Sequence, residues 1–365
     1  MRITGLDVWV VNVPYTAPFV SSFEVRSGTT RTVLRLRTDD GLTGWGETMH
    51  GDPVAAIVHR LFPQYEGTNP FDVERMAAQL TMVPFFYGYL GYAAMAGLEM
   101  ACYDLMGKAT GQPLYNLIGG SVRDRIPLTY VATPHEDLLA DIGAAGTELG
   151  MHTVKLKGST DPRVDVRRLE TIRERFPDLT LRVDPNGHWS VPETLRLAHR
   201  LEALDLEYLE DPCWGLDAMA RVRADVRIPL CTNMCVVRME DVAPAIKLGA
   251  IDVLHGDVHK WGGIGTHGKL AGICAAAGWG MNLHSGGELG LSTAAHLHVT
   301  AATPVISYAI DTVYYLFADD IIGEPLTIAD GALPVPTGPG LGVEPDLDKL
   351  ERYARLHADQ GDLLL

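Results

Sequence analysis

The 365-residue sequence has little of several features that mark particular protein classes. Its cysteines are few, odd in number and without Cys-x-x-Cys spacing, so we expect reduced thiols in the cytosol. No apolar run approaches the roughly 18 residues of a membrane span, and Met1–Pro14 alternates like a strand and has no signal-peptide pattern. Basic residues are also scarce, since 30 Lys and Arg against 46 Asp and Glu give a net charge of −16. The sequence therefore predicts a cytoplasmic protein without nucleic-acid or membrane partners.

The first third of the chain has the pattern of an α+β domain, which we place at residues 1–125. The expected strands are 2–13, 31–37 and 42–47, and the expected helices are 53–62, 70–82 and 92–108. The three strands alternate with period two and are joined by short connections, which predicts an antiparallel meander. Because the chain is longer than a single hydrophobic core usually serves, we expect at least one further domain.

From residue 126 onward, short apolar strands alternate with helical segments. The eight expected strands are 126–133, 153–158, 181–186, 206–212, 229–234, 251–258, 280–285 and 306–311. This alternation predicts an α/β fold in which parallel strands close into a barrel. We assign residues 126–325 to a (β/α)7β modified TIM barrel. The tail, 326–365, contains a Pro- and Gly-rich stretch from Pro334 to Pro345 and is expected to return to the first domain and complete a capping domain.

Each expected barrel strand after the first ends on a polar residue. These residues are Lys157, Asp184, Glu210, Asn233, Asp257, His284 and Asp311. They are 23 to 27 residues apart, which is the length of one loop, helix, loop and strand in a βα repeat. Because the strand ends of a parallel barrel face one rim, we expect all seven side chains in one pocket.

Lys155 and Lys157 are two residues apart on one strand, so both side chains should point into the barrel mouth. Two adjacent ammonium groups disfavour each other's charge, which lowers the pKa of at least one of them. A lysine with a lowered pKa can act as a base near neutral pH. The alternative, a solvated surface pair, is weakened by the apolar neighbours Val154 and Leu156.

Asp184, Glu210 and Asn233 end three successive strands. Three oxygen ligands without Cys or His are typical of a Mg²⁺ site that keeps positions open for water or substrate. Each residue alone would more often cap a helix, but in register the three predict a metal site. Asp211 could replace Glu210, although alternation along the strand predicts that Asp211 faces outward.

His284 and Asp257 end neighbouring strands. A carboxylate that accepts from Nδ1 orients an imidazole and raises its basicity, so we expect an acid/base pair. His255 and His259 flank Asp257 and are weaker candidates. Asp311 either binds the substrate or caps a helix, and the sequence does not decide between these roles.

These segments, in this order, resemble the enolase superfamily, mandelate racemase group, and most closely its glucarate dehydratases. The segments are Lys155-Leu156-Lys157, Asp184-Pro185-Asn186-Gly187, Glu210-Asp211-Pro212, Thr232-Asn233-Met234, Asp257 and His284-Ser285. Glu99–Gly111, Pro113–Gly120 and Gly338–Val343 extend the resemblance over nearly the whole chain.

The resemblance implies a role for each of these residues. The Mg²⁺ ligands would be Asp184, Glu210 and Asn233. Lys157 would be the base on one face of the substrate, and the His284–Asp257 pair would be the acid/base on the other. Lys155 would contact the substrate carboxylate. The further substrate-binding candidates are Asn186, Asp311 and His50.

The sequence departs from the glucarate dehydratase pattern at three places. Val313 stands where that branch has a substrate-contacting histidine, and Gly286-Gly287 replaces an Asn-Asn pair. The sequence also ends at Leu365, before the arginine that would reach a second carboxylate. Val313 and the aromatic residues after it would form an apolar wall. We therefore expect a hydroxy acid with one carboxylate, unless Arg26, Arg31 or His50 supplies a cation.

The resemblance favours a Mg²⁺-dependent acid-sugar dehydratase, a hydro-lyase that yields a 2-keto-3-deoxy acid. A racemase or epimerase with the same two bases is the alternative within enzymes, and a non-catalytic sugar-acid-binding barrel is the alternative outside them. A homo-oligomer is expected.

Overall fold

The computed structural model describes residues 1–363. The N-terminal part is an antiparallel meander, in the order β1-β2-β3, with helices packed on it. Its strands are β1 (Ile3–Val20), β2 (Val25–Thr38) and β3 (Thr43–Met49), and its helices are α1 (Asp52–Leu61), α2 (Val73–Gln79), α3 (Val83–Tyr87), α4 (Tyr89–Thr110) and α5 (Leu114–Leu117). A single turn of 3₁₀ helix, Phe62–Gln64, follows α1. Buried aliphatic residues of the sheet and of α1, α2 and α4 form the core of this cap.

Eight parallel strands follow the cap. They are β4 (Arg125–Ala132), β5 (Thr153–Lys157), β6 (Thr180–Asp184), β7 (Leu206–Glu210), β8 (Leu230–Thr232), β9 (Val253–Gly256), β10 (Gly280–Leu283) and β11 (Ile310–Thr312). Hydrogen bonds join them from β10 back to β4 and on to β11, and a bridge between Met281 and Ile306 connects β10 with the segment leading to β11. The curled sheet is a modified TIM barrel.

Seven helices alternate with these strands. They are α6 (Leu138–Glu148), α7 (Pro162–Arg175), α8 (Val191–Glu202), α9 (Leu216–Asp225), α10 (Met239–Leu248), α11 (Ile264–Ala277) and α12 (Gly290–Ala302). Helix α8 shows how local sequence places one of them: Ser190 and Glu193 form a reciprocal capping box at its N-terminus. One helix between each pair of strands gives the expected (β/α)7β order, which is confirmed.

The C-terminal segment returns to the cap. After a 3₁₀ turn, Tyr314–Leu316, it forms β12 (Ala332–Pro334), which pairs antiparallel with the start of β4, and then α13 (Leu347–Gln360). Trp9 Nε1 in β1 donates to a Glu351 carboxylate oxygen at 3.0 Å, and Asn12 Nδ2 donates to the Gly361 carbonyl at 2.8 Å. The prediction that the tail completes the cap is thus confirmed, while the boundaries at 125/126 and 325/326 stay predictions.

Three expected elements differ from the structure. The helix expected at 70–82 is only the short α2, and the separate helix α3 begins after this range, at Val83. Strands β1 and β2 continue past the expected bounds into a hairpin whose tip pairs Val20 with Val25. The last barrel strand is shorter than 306–311, and Ile306 makes only an isolated bridge. The sequence did not predict this hairpin. Its residues face a cavity and not a hydrophobic core, so they lack the alternation of apolar and polar residues that marks a strand.

Candidate active site

The strand ends of β5 to β11 converge on one cavity of about 230 Å³. The cavity is closed on its open side by the β1–β2 hairpin of the cap. The predicted catalytic, metal-binding and substrate-binding residues that line it are Lys155, Lys157, Asn186, Asn233, His284, Asp311 and His50. Asp184, Glu210 and Asp257 are fully buried directly behind these side chains. Of the seven strand-end residues expected in one pocket, four line the cavity, and the other three each contact a side chain that lines it.

Lys155 and Lys157 form what we call the lysine side of the cavity, and both are bound by carboxylates. Lys155 Nζ donates to Glu210 Oε2 at 3.0 Å and to Asp311, and Lys157 Nζ donates to Asp184 Oδ2 at 2.6 Å. Burial opposes the charge of Lys155, but the carboxylates of Asp311, Glu210 and Asp184 outweigh it and raise the pKa of Lys155. The expected lowering of a lysine pKa by its neighbour is thus wrong for Lys155, because both ammonium groups face anions.

Asp184 is held in place by the turn that follows it. The Asn186 backbone N–H donates to Asp184 Oδ1 and the Asn186 side-chain amide donates to Asp184 Oδ2, both at 2.9 Å. This requires a positive φ at Asn186 (53°) and at Gly187 (76°), conformations that Asn and Gly adopt at low cost. The Pro-Asn-Gly sequence after the strand therefore serves to orient the carboxylate.

Two of the three predicted metal ligands supply oxygen atoms that lack partners. Among the described residues, Glu210 Oε1 and Asn233 Oδ1 are buried without a hydrogen bond. Burial and repulsion from Asp184 raise the pKa of Glu210 to about 8, so its ionised form needs a further cation. Although burial opposes the charge of Asp184, Lys157 and Lys155 lower its pKa. Unpartnered, buried, hard oxygen donors on successive strands fit a Mg²⁺ ion.

Asp211 does not replace Glu210. Its Oδ2 accepts from the backbone N–H of Asn233 at 2.8 Å and of Met234 at 3.1 Å, and its Oδ1 accepts from Thr232. The side chain is completely buried beneath the loop that carries Asn233, and the expectation that it faces out of the barrel stays a prediction.

Asp257, Lys260 and His284 form what we call the histidine side of the cavity. His284 Nδ1 lies 3.1 Å from Asp257 Oδ2. Burial opposes the charge of Asp257, but the hydrogen bond from His284 and nearby cations lower its pKa, so it is a carboxylate that accepts from Nδ1–H. Burial first, and then the charge of Lys260, lower the pKa of His284 to about 4. His284 is therefore neutral near pH 7, and Nε2 is its unprotonated nitrogen.

A polar floor lies one pleat below the strand ends. Its members are Lys155, Arg182, Tyr208, Cys231, His255 and Asn282, each two residues before a strand-end residue. Tyr208 OH lies 2.9 Å from His255 Nε2, and His255 Nδ1 lies 3.6 Å from Glu210 Oε1. His255 therefore contacts the metal-ligand candidates from below, whereas His259 points to the cap, where its Nε2 lies 3.1 Å from Arg31 Nη2.

The cap contributes Tyr15, Arg26 and His50 to the cavity. Burial first, and then Arg31 and Arg26, lower the pKa of His50 to about 4, so His50 is not a cation near neutral pH. Arg31 lines the cavity but is paired with Glu47, with 2.8 Å between Nε and Oε1. Of the three cap residues considered as cations, Arg26 is the one whose Nε is buried without a partner among residues 1–363.

Gly287 and Val313 are two of the positions at which the sequence departs from the glucarate dehydratase pattern, and both line the cavity. Gly287 has a φ of 90°, and a Cβ placed there would lie 2.8 Å from the Tyr15 hydroxyl, so the close approach of the cap requires glycine. Val313 lines the cavity, but Tyr315 OH donates to the Val131 carbonyl at 2.9 Å and lies outside it. The expected aromatic wall after Val313 is therefore wrong, because a 3₁₀ turn directs these side chains elsewhere.

The sequence reading missed Lys260 and most of the floor. Lys260 follows Asp257 by three residues and lines the cavity. The floor could have been found by the same rule that relates Lys155 to Lys157, because residues i and i−2 on a strand share a face. Lys260 had no such signal, since it lies on a loop.

The fold and site together define a class of protein. Residues 5–119 match the family model of the mandelate racemase / muconate lactonizing enzyme N-terminal domain, and residues 138–349 match that of the enolase C-terminal domain-like family. The chain belongs to the enolase superfamily, mandelate racemase group, and members of this superfamily are enzymes.

The names of individual relatives indicate different reactions. A probable glucarate dehydratase of Streptomyces coelicolor is 36% identical, with 90% of this chain and 85% of the relative covered. The N-succinyl-L-Arg/Lys racemase of Bacillus cereus is 29% identical, with 96% of this chain and 97% of the relative covered. The relatives of this chain thus include a dehydratase and a racemase by name.

Solved structures show the same fold. An enolase from Streptomyces coelicolor, crystallised without magnesium and with an ordered loop, is 57% identical with a TM-score of 0.98 and covers 100% of both chains. An enolase from Pseudomonas fluorescens with bound magnesium, potassium and tartrate is 27% identical with a TM-score of 0.91, covering 99% of this chain and 93% of that one.

No helix among residues 1–363 has the length and apolar character needed to cross a bilayer.

Proposed function

We propose that this chain is a Mg²⁺-dependent acid-sugar dehydratase, a hydro-lyase. It removes the proton α to a carboxylate and eliminates the β-hydroxyl, and the enol product tautomerises to a 2-keto-3-deoxy acid. The observation that carries the proposal is the neutral His284, oriented by Asp257 and facing a cavity that Lys157 also lines, beside the buried side chains of Asp184, Glu210 and Asn233. The dehydratase relative supports the choice of reaction.

Asp184, Glu210 and Asn233 would hold the metal. When bound, Mg²⁺ would stabilise the negative charge that develops on the substrate carboxylate as the α-proton leaves. Such stabilisation is needed because the α-proton is many pKa units above any side-chain base, and each unit costs about 1.36 kcal/mol.

His284 has the properties of the base. Its Nδ1–H donates a hydrogen bond to Asp257 Oδ2, and its unprotonated Nε2 can accept the α-proton. The imidazolium formed in that step carries the proton that the departing β-hydroxyl needs to leave as water. One residue can thus act first as base and then as acid.

Lys157 lies on the other side of the cavity, on β5, while His284 follows β10. The carboxylate of Asp184 fixes its ammonium group. For a substrate of the opposite configuration, Lys157 is the group placed to exchange the α-proton. Bases on two sides also suit a racemase or epimerase, and the racemase relative favours keeping this as the second candidate.

The proposed substrate is a small carboxylate, an acid sugar. Asn186 and Asp311 line the cavity, but both are engaged, Asn186 with Asp184 and Asp311 with Lys155. We propose that Asn186 and Asp311 contribute to substrate binding indirectly, because they fix the positions of Asp184 and Lys155. His50 is proposed as a neutral substrate contact from the cap. A homo-oligomer in the cytoplasm stays a prediction.

A screen of acid sugars with Mg²⁺ tests the proposal. The panel should hold monoacid and diacid sugars, and 2-keto acid formation and α-proton exchange with solvent deuterium should be scored separately. A dehydratase forms 2-keto acid from at least one of them. Exchange or epimerisation of every active compound without 2-keto acid would identify a racemase or epimerase, and inert behaviour of the whole panel would favour a non-catalytic binding barrel.

A further inference from the structure

The charged side chains of the cavity are almost all paired with one another. Those that line it are Glu24, Arg26, Arg31, Lys155, Lys157, Lys260 and Asp311. Arg26 pairs with Glu24, and Arg31 pairs with the buried Glu47. On the lysine side, Asp311 and Glu210 hold Lys155, and Asp184 holds Lys157.

Lys260 is the exception. Within residues 1–363, its Nζ has no hydrogen-bond partner, and no carboxylate oxygen lies within the 4.0 Å of an ion pair. It is therefore the one cavity-lining ammonium or guanidinium group of the described chain that no carboxylate contacts. A cation of this kind, facing a cavity, is a place for an anion from outside the chain.

The backbone fixes Lys260 beside the histidine. Asp257 Oδ1 accepts from the His259 N–H at 2.8 Å and from the Lys260 N–H at 3.2 Å, while Asp257 Oδ2 orients His284. One carboxylate thus sets the position of both His284 and Lys260. Burial, more than any neighbouring charge, lowers the pKa of Lys260, and the environment would favour its charged form more strongly once an anion is bound.

We propose that Lys260 is the residue that binds an anionic carboxylate oxygen of the substrate, on the histidine side of the cavity. The proposal deepens the proposed function, because it rests on the substrate being a carboxylate. It adds to the role that the family resemblance gives to Lys155. Lys155 Nζ lies within ion-pair distance of Asp184, Glu210 and Asp311, whereas the charge of Lys260 has no such partner among residues 1–363.

Binding of a simple carboxylate, without turnover, tests Lys260 directly. The full chain with saturating Mg²⁺ is titrated calorimetrically with tartrate, malate and gluconate. Lys260→Gln removes the charge and Lys260→Arg keeps it. Lys247→Gln is the matched control, since Lys247 is exposed on α10 and its loss changes the net charge by the same amount.

The expected result is a loss of affinity of about tenfold or more in Lys260→Gln, from the loss of one charge-assisted hydrogen bond. Lys260→Arg should bind within about threefold of the unaltered chain, and Lys247→Gln should be unchanged. Thermal unfolding of each variant checks the fold, and Lys260→Met provides a second neutral variant.

Four results would overturn the proposal. These are unaltered affinity in Lys260→Gln, an equal loss in Lys260→Arg, an equal loss in Lys247→Gln, or no carboxylate binding by the unaltered chain. The outcome is separable from that of the proposed function. Carboxylate binding that depends on Lys260, in a protein that converts no acid sugar, would leave Lys260 as an anion site and remove only the dehydratase proposal.

Discussion

The lysine side and the histidine side of the cavity hold their charges differently. On the lysine side, carboxylates contact both ammonium groups, and Lys157 Nζ is 2.6 Å from Asp184 Oδ2. On the histidine side, a single buried aspartate orients a neutral imidazole, and the ammonium group of Lys260 is unpaired among the described residues. The first arrangement fixes groups around the proposed metal site, and the second leaves both a free base nitrogen and a positive charge that no carboxylate of the described residues contacts.

This difference suggests that the two sides of the cavity have different roles in the proposed reaction. Removing a proton from an acid needs a neutral base, and accepting a carboxylate needs an uncompensated cation. Both are found on the histidine side. The lysine side would then determine which stereoisomers exchange their α-proton and would hold the ligands of the metal.

Metal removal should have the largest effect, because it acts on the lysine side as a whole. Without the ion, Glu210 and Asp184 repel each other and the substrate carboxylate loses its main electrostatic partner. We expect exhaustive chelation to abolish both dehydration and α-proton exchange, and added Mg²⁺ to restore them. Full activity in protein shown to be metal-free by elemental analysis would refute the assignment of Asp184, Glu210 and Asn233.

Asp257→Asn should have the next largest effect, and on the histidine side alone. The amide keeps the shape and can still accept from His284 Nδ1–H, but the negative charge that stabilises the imidazolium is lost. We expect kcat for dehydration to fall about 100-fold, within the range found for general acid–base groups. Asp178→Asn, an exposed carboxylate with the same change of charge, is the control and should behave like the unaltered chain.

Metal affinity separates this effect from unfolding. Asp257 is not among the proposed ligands, so Mg²⁺ should bind to Asp257→Asn as it does to the unaltered chain. Equal loss of activity and of metal binding would mean that the two sides are not independent.

The pH dependence should show a smaller effect. The pKa of His284 is lowered to about 4, so the base form is present above that value and is lost as the pH falls through it. We expect the acid limb of kcat/KM for α-proton exchange to lie near pH 4 to 5, and not near the ordinary histidine value of about 6.5. Because Lys260 contributes to the lowering, Lys260→Gln should move the limb to higher pH. A limb near 6.5 in both proteins would contradict the assignment.

How far the sequence predicts this molecule depends on what kind of residue is concerned. The barrel order and the convergence of the strand ends follow from period-two alternation and from a spacing of 23 to 27 residues. Residues at the ends of strands, such as Asp184 and His284, were therefore placed correctly at the cavity. The hydrogen bonds that Asp211 accepts from the Asn233 and Met234 N–H groups were not predicted, because they depend on how the loop after β8 packs against the end of β7.

The positions of loop residues and the pairing of charges could not be predicted from the sequence. Lys260 lies after a strand, and its position depends on two backbone hydrogen bonds to Asp257. The pKa of Lys155 was expected to respond to its neighbour in sequence, but it responds to Asp311, which is 156 residues away. Such pairings depend on how the barrel closes, and no local pattern reports them.

The stereochemistry of deuterium uptake tests the two-sided account most directly. Lys157→Ala and His284→Asn are incubated in D₂O with Mg²⁺ and each epimer of an active substrate, and exchange at the α-carbon is followed by proton NMR. We predict that both variants lose dehydration and that at least one still exchanges the α-proton of one epimer. Loss of exchange in both variants for every epimer, or unchanged turnover in either, would contradict the account.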